Sequence, residues 1–400
     1  MNPRPSDSSP ANETAVLYLD NAATAWPKPA TVLEAMARYM RDVGASPGRS
    51  GHRLANDAER IRFDAREAVA ALLGVTDPTR IVFTLNGTMA LNIALHGLLG
   101  PGDHVVTTGM EHNAVMRPLT ALAGRGVSMS VAECAADGTL EPDAVAAVLQ
   151  PQTRVIVANH ASNVCGTVLP IREIGKLARE RGVVFLVDAA QTAGCWPIDL
   201  AADHIDLLAF TGHKSLMGPS GTGGLAIADG FDVDRLPPLL QGGTGSRSER
   251  EEQPTFLPDK YEAGTPNTVG LAGLVAGVRW VQERGLLAIR QQAQVLAQRL
   301  IDGLRVLAGV QVQGTLDAAR QTAVVSFTVA GQSPGVLAQK LDERYGIMVR
   351  PGLHCAPRAH RTLGTSPDGT VRLAPGPANT PAEMDRAVAA VAELVREGTQ

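Results

Sequence analysis

Between residues 80 and 228 the chain returns again and again to one pattern, a short β-rich apolar run followed by a helical stretch. The runs are Arg80–Thr84, His104–Thr108, Arg154–Ala158, Val183–Val187, Leu207–Phe210 and Leu225–Ala228. Strands that alternate with helices assemble into a mostly parallel sheet with helices on both faces, so the fold class is α/β. Ligands of such sheets bind off the carboxyl ends of the strands. Nearly every chemically loaded residue of this chain follows the end of one of these runs.

Around that block the pattern differs. Tyr-Leu-Asp-Asn-Ala-Ala-Thr at 18–24 reads as a short strand running into small residues, and Pro29 opens a helix to Met40. Gly44–Gly51 is a Gly/Ser/Pro loop carrying Arg49, and Asp57–Leu73 has Ile61, Ala65, Val69 and Leu72 at helical spacing. From about Gly270 long helices take over, Leu271–Glu283 and Leu286–Leu307. Strand candidates follow at Val310–Val312 and Ala323–Val329, then a helix at Gly335–Tyr345. The last helix starts with Thr380 as cap, Pro381 in first position and Glu383 completing a capping box. The expected division is an unstructured tail over 1–15, a large domain over 16–270 and a small domain over 271–400, with the first strand free to pack on the small domain.

Composition narrows the function classes. With 44% apolar and 19% charged residues the chain reads as an ordinary globular enzyme, and a net charge of −4 without a basic cluster argues against nucleic acid as a partner. Cys134, Cys165, Cys195 and Cys355 stand singly, which suggests neither a zinc ribbon nor a thioredoxin-type pair, and no metal is expected. No apolar run approaches the ~18 residues of a membrane span. A reducing cytoplasm is the expected location.

Charge is spelled almost entirely with arginine, 31 Arg against 5 Lys, so a lysine set between a buried strand and a Gly-rich segment stands out. Lys214 follows the apolar run Ile205–Phe210 and the turn Thr211-Gly212-His213. A desolvated lysine can lose its proton and attack an aldehyde, which arginine cannot do.

The stretch Asp206 to Leu225, with Thr211-Gly212-His213-Lys214 and then Gly221, Gly223 and Leu225, resembles the pyridoxal-phosphate lysine signature of the class V aminotransferase family. The resemblance implies a type I PLP-dependent transferase fold, with a mostly parallel seven-stranded sheet flanked by helices and a smaller α+β C-terminal domain. It implies pyridoxal 5′-phosphate as cofactor on Lys214. Asp188, ending the apolar run Val183–Val187, would face the ring nitrogen, Gln191 the ring's 3-oxygen, and His112 would stack on the ring and shuttle protons. The phosphate would lie on Gly87, Thr88, Thr211 and His213, with Thr265 reaching over from a neighbouring subunit, hence a homodimer. A helix N-terminus at Gly87-Thr88 suits an anion on physical grounds alone. Met89 stands where the family often has a second hydroxyl.

The C-terminal motif Met348-Val-Arg350-Pro-Gly-Leu-His354-Cys355-Ala356-Pro357 resembles the active-site cysteine motif of group II cysteine desulfurases, which include selenocysteine lyases. Arg350 and His354 flank the thiol in an electropositive setting that favours thiolate. Arg372 resembles the family's substrate-clamping arginine, with Asn163 and the backbone of Ala22 and Ala23 nearby. The implied reaction takes L-cysteine to L-alanine and leaves a persulfide on Cys355, for transfer to a sulfur-acceptor protein in a pathway such as iron–sulfur cluster assembly. Selenocysteine lyase, with L-selenocysteine as substrate, and a class V aminotransferase or epimerase without persulfide chemistry stay open as alternatives. Leu353, where group II commonly has a second histidine, and Pro375-Gly376-Pro377 depart from the pattern.

Overall fold

The computed structural model describes residues 16–48 and 51–398; the expected tail at 1–15 and Arg49 lie outside them. Seven strands form the large sheet: β2 (Ile81–Thr84), β3 (His104–Thr108), β4 (Ser128–Ala132), β5 (Thr153–Asn159), β6 (Val184–Asp188), β7 (Leu207–Thr211) and β8 (Gly223–Ile227). Their order is β2-β8-β7-β6-β5-β3-β4; pairs from β7 to β4 run parallel, and β8 is antiparallel to both its neighbours. Successive residues of the central strands alternate between two cores. Ile156, Phe185, Val187, Leu208 and Phe210 enter one, while Val155, Val157, Val184, Leu186, Leu207 and Ala209 enter the other. A strand apolar on both faces has to be covered on both faces. Helices α1 (Ala30–Arg38), α2 (Arg53–Leu73), α3 (Gly87–Leu98), α4 (Asn113–Ala123), α5 (Pro142–Ala147), α6 (Ile171–Arg181) and α7 (Thr268–Arg284) belong to this part of the chain.

β4 carries no apolar run, only Ser-Met-Ser-Val-Ala, and it is the edge strand with one of its five residues buried. The expected domain division at residue 271 falls inside α7, and Leu271, Leu274, Val275 and Val278 pack into the large-sheet core.

The second sheet holds β9 (Val310–Gln313), β10 (Val325–Val329), β12 (Arg350–Gly352) and β13 (Thr370–Leu373), in the order β12-β13-β10-β9 and antiparallel throughout. Helices α8 (Leu286–Arg305), α9 (Pro334–Tyr345) and α11 (Pro381–Glu397) cover it, and the short α10 (Pro357–Thr362) follows the cysteine. Thr380 and Glu383 form the expected capping box on α11. The first strand, β1 (Leu17–Tyr18), pairs in parallel with β11 (Ile347–Met348), and Leu17 and Leu19 are buried in the small-sheet core. From there the N-terminal segment crosses to the large sheet, so residues 20–28 bridge both parts of the molecule.

Candidate active site

The carboxyl ends of β2, β5, β6 and β7 open into a cleft closed from the other side by the N-terminal segment and the loop after β12. Its cavity volume is about 240 Å³. Ala22, Ala23, Gly87, Thr88, His112, Asn163, Asp188, Gln191, Thr211, His213, Lys214, Arg350, His354, Cys355 and Arg372 all line it. Of the catalytic, cofactor and substrate residues expected from sequence, Thr265 alone does not; it sits exposed on the segment after Tyr261.

Each wall has a local cause. Asn86 caps α3 by accepting from Met89 N at 2.9 Å, which leaves Gly87 and Thr88 at the helix mouth with the positive end of its dipole towards the cleft. The lysine turn needs Gly212, because a Cβ there would run into Thr222 Oγ1. The carbonyl of His213, just before Lys214, takes three donors from the N-terminal segment: Ala25 N at 3.0 Å, Thr24 Oγ1 at 3.2 Å and Lys28 Nζ at 2.7 Å. Lys214 is thereby fixed from behind.

Burial sets the protonation states. Desolvation lowers Lys214 to about 8, with Asp188 opposing and Arg372 and Arg350 adding, so the amine can act as a base near neutrality. Asp188, at the end of β6, is 6% exposed; desolvation raises its pKa, while the Ala190 amide (2.9 Å) and Lys214 work to keep it ionised. His112 caps α4, its Nδ1 accepting from Ala114 N at 3.0 Å, so a neutral ring carries its proton on Nε2. Burial first, then Lys214, lowers it to about 4.

The thiol loop is tightly held. His354 and Cys355 both adopt left-handed backbone, at φ 49° and 57°, which costs an L-residue ~1–2 kcal/mol each. Asn163 Nδ2 donates to His354 O at 2.7 Å, Asn113 N to Cys355 O at 2.8 Å, and His354 Nε2 lies 3.0 Å from Arg350 O. Three anchors hold a turn that would relax if free. Cys355 itself is exposed, with Arg350 Nη2 3.9 Å from its sulfur. Arg372 is directly opposite Arg350 in the β12–β13 ladder.

Some partners differ from expectation. The Asn163 amide nitrogen is engaged by the thiol loop rather than left free for a carboxylate, and Gln191 Nε2 donates to Ala22 O at 3.1 Å. Arg372 donates to Asp20 and, at 2.9 Å, to Asn163 O. Several site residues escaped the sequence reading. Asn159 ends β5 beside Asp188 in register and lines the cleft; a polar residue closing a buried strand was the available signal. Glu111, fully buried, accepts from Thr108 Oγ1 at 2.7 Å and Asn159 N at 2.9 Å, and burial pushes it up to about 8, so it is protonated at neutral pH. Asp20 and Lys28 gave no local signal at all.

Whether this cleft suits an aldehyde cofactor with a phosphate and a pyridine ring can be judged from its unsatisfied groups. Thr211 Oγ1, His213 Nδ1, Asn159 Oδ1, Asn163 Oδ1 and Arg372 Nε are buried without partners, all on residues lining it. Buried polar atoms in folded proteins are nearly always paired. An amine, a buried carboxylate and a helix mouth complete a fitting set.

The sequence model of class V aminotransferases matches residues 17–387. The chain belongs to the class V aminotransferase family. Within it the chain is similar to a probable cysteine desulfurase of Methanothermobacter thermautotrophicus, 34% identical over 92% of each chain. It is also similar to a probable cysteine desulfurase of Pyrococcus abyssi, 36% identical over 95% of this chain and 94% of the other. Among solved structures, the apo cysteine desulfurase of Thermococcus onnurineus NA1 superposes with a TM-score of 0.90 at 35% identity, covering 96% of this chain and 95% of that one. The Escherichia coli cysteine desulfurase CsdA, in its S-sulfonic acid form, gives 0.85 at 29% identity over 97% and 96%. The family's cofactor is pyridoxal 5′-phosphate, which agrees with the set of groups the cleft offers.

Proposed function

We propose that this class V protein is a cysteine desulfurase, converting L-cysteine to L-alanine and carrying the sulfur on Cys355. The observation that carries the reading is that an amine softened to about 8, a buried carboxylate and an exposed thiol beside an arginine line one cleft. Pyridoxal phosphate, when bound, supplies an aldehyde for amines and a ring that withdraws electrons from the substrate carbons. Lys214 would hold that aldehyde and is the base for the proton at the substrate's α-carbon. Asp188 would face the ring nitrogen, Gln191 the 3-oxygen, and neutral His112 would cover the ring. Gly87, Thr88, Thr211 and His213 would cradle the phosphate.

Arg372, with the Ala22–Ala23 backbone, orients the substrate carboxylate, and Asn163 braces the thiol loop through its hydrogen bond to His354 O. Arg350 holds the Cys355 sulfur towards the substrate sulfur, and neutral His354 fixes the loop through its contact with Arg350 O. A sulfur–sulfur bond forms as the carbon–sulfur bond breaks; the electron pair goes to carbon, which is protonated to give alanine. Thr265, outside its own cleft, reaches the phosphate site of a second copy, so the active form is a homodimer. The persulfide passes to an acceptor protein of the cytoplasm, in the supply of sulfur for iron–sulfur clusters. Among the described residues no helix is long and apolar enough to cross a membrane.

The test is mass spectrometry of the holoprotein after L-cysteine, reading the peptide that holds Cys355. One added sulfur, together with one alanine per turnover, is expected. Alanine without sulfur on that peptide, or a keto acid in place of alanine, refutes the assignment.

A further inference from the structure

Arg372 is the most buried charged side chain lining the cleft, 1% exposed, and its guanidinium is already held at two points. Nη2 donates to Asp20 Oδ1 and Nη1 to Asn163 O at 2.9 Å, while Nε is buried without a partner. Facing it across the β12–β13 ladder is a second guanidinium, Arg350. Like charges opposite one another in a ladder repel. The charged form of Arg372 is further disfavoured by burial, and Asp20 is the principal group opposing that. Asp188, a carboxylate that lines the cleft, ends β6 of the large sheet.

Asp20 does not itself line the cleft. It sits where the N-terminal segment bridges Ala374, two residues beyond Arg372, with Asn21 N donating to Ala374 O at 3.0 Å and Ala374 N to Leu19 O at 2.7 Å. Tyr18 Oη closes the turn on Thr24 O at 2.9 Å. The carboxylate is therefore presented on a doubly fixed backbone, from outside the substrate space.

We propose that Asp20 is a positioning residue for Arg372, pinning the guanidinium from behind so that its free N–H groups meet the substrate's α-carboxylate in one fixed orientation. The inference rests on the reading of the cleft as an amino-acid site. A guanidinium has five N–H donors in a planar fork, and its bidentate grip depends on that plane being held. Two donors are spent on Asp20 and Asn163 O; the unpartnered Nε shows that the fork is not exhausted. Without Asp20 the plane is held at one point only, against the repulsion of Arg350.

The test compares ligands with and without the carboxylate on wild-type and Asp20→Asn holoenzyme. Binding of L-alanine and of L-alaninamide is followed by the change in cofactor absorbance, alongside KM and kcat for L-cysteine. Loss of a charge-assisted hydrogen bond predicts about tenfold or more weaker binding of L-alanine and an equal rise in KM for L-cysteine. L-alaninamide binding and kcat should not move, and Asp20→Glu should recover part of the loss. Equal weakening of acid and amide, no change, or tighter binding of L-alanine overturns the inference. If Asp20→Asn does not fold, the same comparison on Asp20→Glu decides; failure of both to fold makes Asp20 a folding residue and overturns it as well. Wild-type protein that binds L-alanine but makes no alanine from L-cysteine defeats the desulfurase reading and leaves this one standing.

Discussion

Removing Glu262 is predicted to cost the large domain about 4–6 kcal/mol. Its carboxylate is 8% exposed and pairs with Arg66, 3% exposed, through both oxygens. Arg66 also donates to Ile81 O and lies over the Phe83 ring, and Glu262 Oε1 accepts from Phe83 N at 2.6 Å. Glu262→Ala strands a guanidinium in the interior, worth ~3–5 kcal/mol when one partner of a buried pair is lost. The orphaned Phe83 amide adds about 1 kcal/mol or more. Urea unfolding followed by far-UV circular dichroism and cofactor absorbance would read the loss. Arg66→Met with Glu262→Leu should recover most of it, since apolar replacement of a whole buried pair is often neutral. β2 ends at the proposed phosphate cradle, so the single variant should also release cofactor at lower urea than wild type. A loss below about 1 kcal/mol, or a double variant worse than the single one, would refute the reasoning.

Further expectations concern the site and its stability. Lys214→Ala should abolish turnover and the cofactor's lysine-bound absorbance, whereas Cys355→Ala should keep the absorbance and lose persulfide; full-rate sulfide release from Cys355→Ala contradicts the role given to the thiol. His160 and His354 are buried neutral, both lowered to about 3 chiefly by desolvation. Their folded values lie below the unfolded ~6.5, so their contribution is present above pH 6.5 and is lost as pH falls, by roughly 2 kcal/mol apiece between pH 7 and pH 5. His160→Gln should flatten the pH dependence of the urea midpoint in that window; an unchanged slope rejects it. Thr380→Ala removes the α11 capping box and should cost ~1 kcal/mol, read as a lower urea midpoint of the small domain with the cofactor spectrum intact.

How much of this was legible beforehand follows from where each signal resides. β6 and β7 announced themselves because strands covered on both faces need unbroken apolar runs, and Asp188 and Lys214 stand at their ends. β4 escaped because an edge strand needs no such run, and β12, Arg-Pro-Gly, because an edge tolerates proline. The antiparallel direction of β8 left no trace, since apolar pattern is blind to strand direction. Asp20 meets Arg372 across 352 residues and Lys28 meets His213 across 185. No local window contains such a pair. Asn163 lines the cleft, but its hydrogen bond to His354 O depends on how the thiol loop docks, which no neighbour in sequence encodes.

The pairing of β1 with β11 joins residue 17 to residue 347. A nascent chain that has emerged only as far as α7 has its large sheet and Lys214, but its first strand is still without a partner. The thiol comes out later still, followed by Arg372. The proposed sulfur chemistry thus waits for nearly the whole polypeptide to leave the ribosome, and an interrupted translation product carries the lysine without the thiol proposed to receive the sulfur.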